Sequence, residues 1–170
     1  MMKNLDFLFA PKQVAVIGAS KSPQKIGFAI IDNIIKSGYQ GKIYPVNPKE
    51  TEIAGLKCYP AIGKIPEKVD LAVLSVPAQA TLQAAQECGE AGVKGLIVIT
   101  AGFKEVGGEG VKQERELLNL CRRYNMRMIG PNCVGLMDTH TPLNASFARG
   151  FPNKGNISFI SQSGAMLLSI

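Results

Sequence analysis

Tryptophan is absent from this chain, aromatic residues make up only 6% of it, and its 170 residues include a single histidine. A nucleic-acid platform of stacked rings therefore has little to build on. No Cys-x-x-Cys pair occurs among Cys58, Cys88, Cys121 and Cys133, and His140 has no cysteine within helical reach. The spacing of a zinc site is missing. No apolar run reaches the roughly 18 residues of a membrane-spanning helix. The opening MMKNLDFLFAPK shows neither the apolar stretch nor the small-residue cleavage site of a secretion signal. Neither dinucleotide GxGxxG nor Walker GK[ST] is present.

What is present is a globular composition, 46% hydrophobic and 19% charged, with a net charge of +6. Disordered chains carry fewer apolar residues and more charge. Scattered cysteines without a secretion signal read as free thiols in a reducing compartment, so a cytoplasmic location is expected. Cys88 and Cys121 fall in apolar helical patterns and are expected in the core. The positive charge favours anions in general. Arg122, Arg123 and Arg127 cluster near a helix end, where they complement the helix dipole without any ligand.

Short β-branched runs alternate with longer helical ones. Strands are expected at 14–17, 42–46, 71–76, 95–99 and 126–129, with a sixth at 157–160. Helices are expected at 27–37, from Pro77 to 91, and at 114–124. Gly38 is placed to cap the first helix, and proline suits the start of the second. Residues 100–110 read as a glycine-rich loop, and 138–156 as irregular. Unbroken apolar strands are buried on both faces, which makes the sheet parallel. The expected fold is α/β, a Rossmann-like doubly wound parallel sheet. Ligands of such sheets bind beyond the carboxyl ends of the strands, where strand order reverses.

The loops at those ends are therefore the candidate ligand-binding segments. After the first strand come Gly18, Ala19 and Ser20, then Lys21, Lys25 and Gly27. A glycine at the strand exit allows close backbone approach, and the helix start beyond it attracts anions. Phosphate binding is the expected role. After the second strand stand Asn47, Pro48 and Lys49, where an NAD-binding sheet places an acid for the ribose. A cation there points to NADP or to a ribose-phosphorylated nucleotide such as coenzyme A. After the third come Val76 and Pro77, and after the fourth Thr100, Ala101 and Gly102, small walls suited to an apolar, amide-bearing arm. Asn132, after the fifth, offers a donor and an acceptor.

Six ordered motifs, VAVIGAS at 14–20, YPVNPK at 44–49, LSVPA at 74–78, ITAGF at 99–103, GPNCVG at 130–135 and SQSGA at 161–165, carry a resemblance across nearly the whole chain. The chain resembles the CoA-binding domain of NDP-forming acyl-CoA synthetases, most of all the ADP-forming acetate–CoA ligases, a family that includes the α subunit of succinyl-CoA synthetase. The resemblance implies that CoA lies along the strand ends. Gly18, Ala19 and Ser20 would meet its phosphates. Asn47, Pro48 and Lys49 would flank the adenosine, and Val76, Pro77, Thr100, Ala101 and Gly102 would line the pantetheine arm. It implies a ligase interconverting acyl-CoA, ADP and phosphate with acid, CoA and ATP through an acyl phosphate and a phosphohistidine.

In that family the histidine belongs to the next domain, which SQSGA begins. The expected division is 1–150 for the CoA-binding domain and 151–170 for the truncated start of the second. His140 precedes SQSGA and is expected to be a solvated loop residue, so no catalytic residue is assigned in this piece. Expected partners are CoA and the remaining synthetase domains or an ATP-grasp subunit, with ATP or ADP and Mg entering only through those parts, and neither nucleic acid nor membrane. Alone, the piece is expected to bind CoA and catalyse nothing. A CoA- or nucleotide-sensing module, the CoA-binding part of a fused lysine acetyltransferase, and an NADP-dependent reductase are the competing readings.

Overall fold

The computed structural model describes residues 5–167 and 169. Its elements in chain order begin with α1 (Asp6–Phe9), β1 (Gln13–Ile17), α2 (Ile26–Lys36) and β2 (Lys42–Val46). A small hairpin, β3 (Glu52–Ile53) and β4 (Leu56–Lys57), precedes β5 (Leu71–Leu74), α3 (Ala78–Glu90) and β6 (Gly95–Val98). Then come α4 (Gly108–Arg123), β7 (Arg127–Ile129), a second hairpin of β8 (Gly135–Asp138) and β9 (Leu143–Ser146), and α5 (Gly164–Leu167). Among the described residues, no helix is long and apolar enough to cross a membrane.

Five strands form one parallel sheet in the order β2-β1-β5-β6-β7. The chain moves outward from β1 to β2, then returns to the other side of β1 to lay down β5. That reversal puts the switch point between β1 and β5. The fold is the expected Rossmann-like doubly wound α/β sheet.

The central strands β1, β5 and β6 bury both faces, with alternate residues in opposite layers. Val14, Val16, Leu71, Val73 and Ile97 pack under Ile30, Ile31 and Ile34 of α2. Ala15, Ile17, Ala72, Leu74, Leu96 and Val98 pack against α3 and α4, where Ala85, Cys88, Leu117 and Cys121 meet them. Cys88 and Cys121 are core residues as expected, and burial pushes their thiols up to about 12 and about 11. Pro45 is compatible with β2 because that strand is at the edge of the sheet.

Three expectations need correction. Residues 157–160 form no strand: Ile157 and Ile160 are each 96% exposed. A β-branched run becomes a strand only beside a partner edge, and the described residues provide none there. Residues 138–156 are partly regular, because β9 runs antiparallel to β8. Asp138 Oδ1 accepts the N–H groups of His140 and Thr141 at 2.7 and 3.0 Å, an Asx turn that reverses the chain. The helix expected from 114 starts at Gly108. Gly110 reads as a loop residue, yet a Cβ there would lie 2.0 Å from the Phe103 carbonyl oxygen, so close packing selects glycine inside the helix.

The β8–β9 hairpin shares the α2 layer through Leu136, Leu143 and Ala145. Asn33 of α2 clamps it, its Nδ2 donating to the Ser146 and Ala148 carbonyls at 2.8 and 2.9 Å. Asn33→Ala leaves both carbonyls without that donor, and a loss of about 1–3 kcal/mol is expected. Hydrogen exchange should accelerate first in residues 143–148. Unchanged protection there would refute the clamp.

Candidate functional site

A cleft of about 910 Å³ opens at the carboxyl ends of the strands, over the switch point. Gly18, Ala19, Ser20, Lys25, Asn47, Val76, Pro77, Thr100, Ala101 and Asn132 all line it, so the structure gathers ten of the thirteen proposed site residues around one space. Their elements explain why. Each lies just past the end of a parallel strand or at the start of the following helix, so strand register brings them to one edge.

Gly18 leaves β1 with φ +88°, a conformation that favours glycine, and a Cβ there would meet the Ser75 carbonyl oxygen at 2.8 Å. Gly27, in the first turn of α2, lies against the Gly18 carbonyl. The helix thus begins directly on the loop that faces the cleft. Its N-cap is Lys25, which supplies no side-chain cap, so the positive end of the helix faces the cleft uncapped by a side chain. Among the cleft-lining residues, Lys25 is the charged one. Val76, Pro77, Ile99, Val134 and Phe147 give the cleft its apolar lining.

Pro48, Lys49 and Gly102 do not line the cleft. Pro48 and Lys49 are exposed beyond Asn47, whose Oδ1 accepts the Lys49 N–H at 2.9 Å and turns the chain away. The Gly102 N–H is taken by Glu105 Oε1 at 2.6 Å. That bond holds the Glu105 carboxyl below its usual range. Lys21 is paired with Glu50 at 2.8 Å, and hydrogen bonding to that carboxylate raises its pKa. His140 is exposed and contacts the Gly155 carbonyl at 3.3 Å, away from the cleft.

Ser75, Cys133, Val134 and Phe147 also line the cleft and were not picked out individually. Ser75 and Cys133 sit inside the quoted motifs, whereas Phe147 reaches the site only because the hairpin folds back over α2. Burial pushes the Cys133 thiol up to about 11, and its Sγ donates to the Val98 carbonyl at 3.3 Å. A protonated, hydrogen-bonded thiol is a wall and not a nucleophile. A smaller groove of about 570 Å³ between α3 and α4 is lined by Glu87, Glu90 and Glu116. Those carboxylates would repel an anionic ligand, and the amides of Gln83 and Gln86 already bond to two of them.

The cleft therefore suits a long ligand with an anionic end and an amide-bearing apolar arm. The family model for the CoA binding domain matches residues 12–139. The chain is 51% identical over 162 residues to the α subunit of acetate–CoA ligase [ADP-forming] II from Pyrococcus furiosus, covering 95% of this chain and 35% of that one. It is 49% identical over 166 residues to acetate–CoA ligase [ADP-forming] I from Archaeoglobus fulgidus, covering 98% of this chain and 24% of the relative. A solved dinucleotide forming acetyl-coenzyme A synthetase 1 from Ca. Korarchaeum cryptofilum, in complex with phosphate and ADP, superposes with a TM-score of 0.95 at 47% identity. That match covers 99% of this chain and 36% of the solved one. The chain thus spans 24% to 36% of the length of these relatives.

Proposed function

The chain belongs to the CoA binding domain family, and from that premise we propose that it is the CoA-binding part of an ADP-forming acyl-CoA synthetase. The whole enzyme would interconvert acyl-CoA, ADP and phosphate with acid, CoA and ATP. Residues 1–150 would bind CoA, and residues 151–170 would lead into the domain that carries the phosphohistidine. Nucleotide and Mg would be held by the other parts of the enzyme, in the cytoplasm.

The observation that carries this reading is the cleft over the switch point, lined by Lys25, the start of α2 and a set of apolar residues. The pyrophosphate would lie against Gly18, Ala19 and Ser20, and the pantetheine arm against Val76, Pro77, Thr100 and Ala101. Ser20 Oγ accepts the Ser22 N–H at 3.1 Å, leaving its own proton for a phosphate oxygen. Lys49, outside the cleft, would reach only a group that projects from the ribose.

Calorimetry tests the reading. CoA should bind at one site per chain and weaken as salt rises. Lys25→Ala should lower the affinity about tenfold, the equivalent of one charge-assisted phosphate contact. Dephospho-CoA should bind more weakly than CoA, with the difference removed in Lys49→Ala. Absence of binding by CoA would overturn the reading, and equal affinities for the two ligands would remove Lys49 from it.

A further inference from the structure

A row of hydrogen bonds continues past the end of the sheet and crosses every gap between neighbouring strands. From the β2 side, Asn47 Nδ2 donates to the Ala19 carbonyl at 2.7 Å. The Gly18 and Ala19 N–H groups donate back to the Val46 carbonyl at 3.1 and 3.3 Å. From β5, Ser75 Oγ lies 3.2 and 3.3 Å from the Ile17 and Gly18 carbonyls. From β6, Thr100 Oγ1 donates to the Val76 carbonyl at 2.7 Å. From β7, the Asn132 N–H donates to the Thr100 carbonyl at 2.9 Å. The backbone ladder reaches one residue past β5 and β6, the Ser75 N–H donating to the Ile17 carbonyl at 2.9 Å and the Ile99 N–H to the Leu74 carbonyl at 3.0 Å. Side chains of Asn47, Ser75 and Thr100 join three of the gaps there, and the Asn132 backbone joins the fourth.

We infer that Asn47 and Thr100 are positioning residues, which lock the two walls of the cleft separately by each donating a side-chain proton to a neighbouring loop carbonyl. The inference rests on the CoA reading of the same cleft and changes the role of both residues within it. Thr100 has one hydroxyl proton, and the Val76 carbonyl receives it, so toward a ligand Thr100 can only accept. Asn47 gives one amide proton to Ala19 and its oxygen to Lys49, so both ends of its side chain are engaged within the protein.

The two locks act on different walls. Asn47 holds the Gly18–Ala19 segment, where the anionic end would lie. Thr100 ties the loop after β6 to the loop after β5, the wall meant for the amide arm. Loops fixed before a ligand arrives lose no freedom on binding, and that preorganisation appears directly as affinity.

The test uses adenosine 3′,5′-bisphosphate and pantetheine as the two halves of CoA, measured by calorimetry and by competition against CoA, together with hydrogen exchange of the ligand-free protein. In Asn47→Ala, affinity for CoA and the bisphosphate should fall about tenfold, with pantetheine unchanged. In Thr100→Val, affinity for CoA and pantetheine should fall about tenfold with the bisphosphate unchanged, and Thr100→Ser, which keeps the donor, should restore it. Without ligand, the Gly18 and Ala19 amides should exchange faster in Asn47→Ala, and the Asn132 amide in Thr100→Val. Loss of affinity without faster exchange would make these residues direct ligand contacts and overturn the inference. Equal losses for both halves in both variants would show general loosening and overturn it too. If the wild type bound no CoA, the functional reading would fall, and the exchange measurements would still decide whether the locks exist.

Discussion

Gly27→Ala should lower the melting temperature by about 5–10 °C and weaken CoA binding about a hundredfold. The added Cβ would sit 2.1 Å from the Gly18 carbonyl oxygen and 3.1 Å from the Ala19 Cα. Neither can move aside. Gly18 is itself held at φ +88°, with the Ser75 carbonyl where its own Cβ would go. The helix must lift off the loop, at a cost of about 1–3 kcal/mol or more for forced overpacking. Alanine's better helix propensity returns under about 1 kcal/mol, so the clash wins. Lifting the helix also withdraws its positive end from the cleft, which is why binding should suffer beyond stability. A variant with unchanged melting and unchanged affinity would show that α2 does not begin against the loop.

Phe103→Ala should cost about 3–5 kcal/mol in denaturant unfolding, the range for emptying a large buried side chain. Phe103 is fully buried, in the layer that holds Leu96, Val98 and Leu117. Its main chain is constrained as well, because its carbonyl accepts the Val106 N–H at 3.1 Å and leaves no room for a Cβ at Gly110. The residue therefore anchors the loop that runs from the cleft at Thr100 to the start of α4. Val106→Ala, three residues on and 67% exposed, should change stability by less than about 0.5 kcal/mol. Equal effects at the two positions would refute the anchoring role.

The sheet was legible in the sequence because its strands are unbroken apolar runs. Lys42–Val46 was bounded to the residue, and the other four strands of the sheet were off by one or two residues at their ends. The later ends of β5 and β6 were overestimated because Ser75, Val76 and Ile99 suit strands locally, and Ser75 and Ile99 still donate one backbone bond each to the neighbouring strand. The β8–β9 hairpin was missed because its turn depends on one Asp side chain, with no Asn-Gly or Asp-Gly signal. The beginning of α4 was hidden by Gly107, Gly108 and Gly110, of which the first two sit at positive φ and only the third is required by close packing.

The site shows the same division. Glycines, a lysine and small residues at five strand exits mark a ligand cleft, because parallel-sheet geometry obliges those exits to share an edge. Residue types alone determined that edge, the glycine-led loop before α2 and the thiols of the core. They did not determine what each polar side chain does there. Asn47 and Thr100 read as ligand contacts, and the structure adds that each also donates to a loop carbonyl, while Lys21 stands 2.8 Å from Glu50. A sequence states which donors exist. Only the tertiary structure decides where their protons go, because a hydrogen bond between residues 47 and 19 or between 100 and 76 depends on distances that chain neighbours do not set.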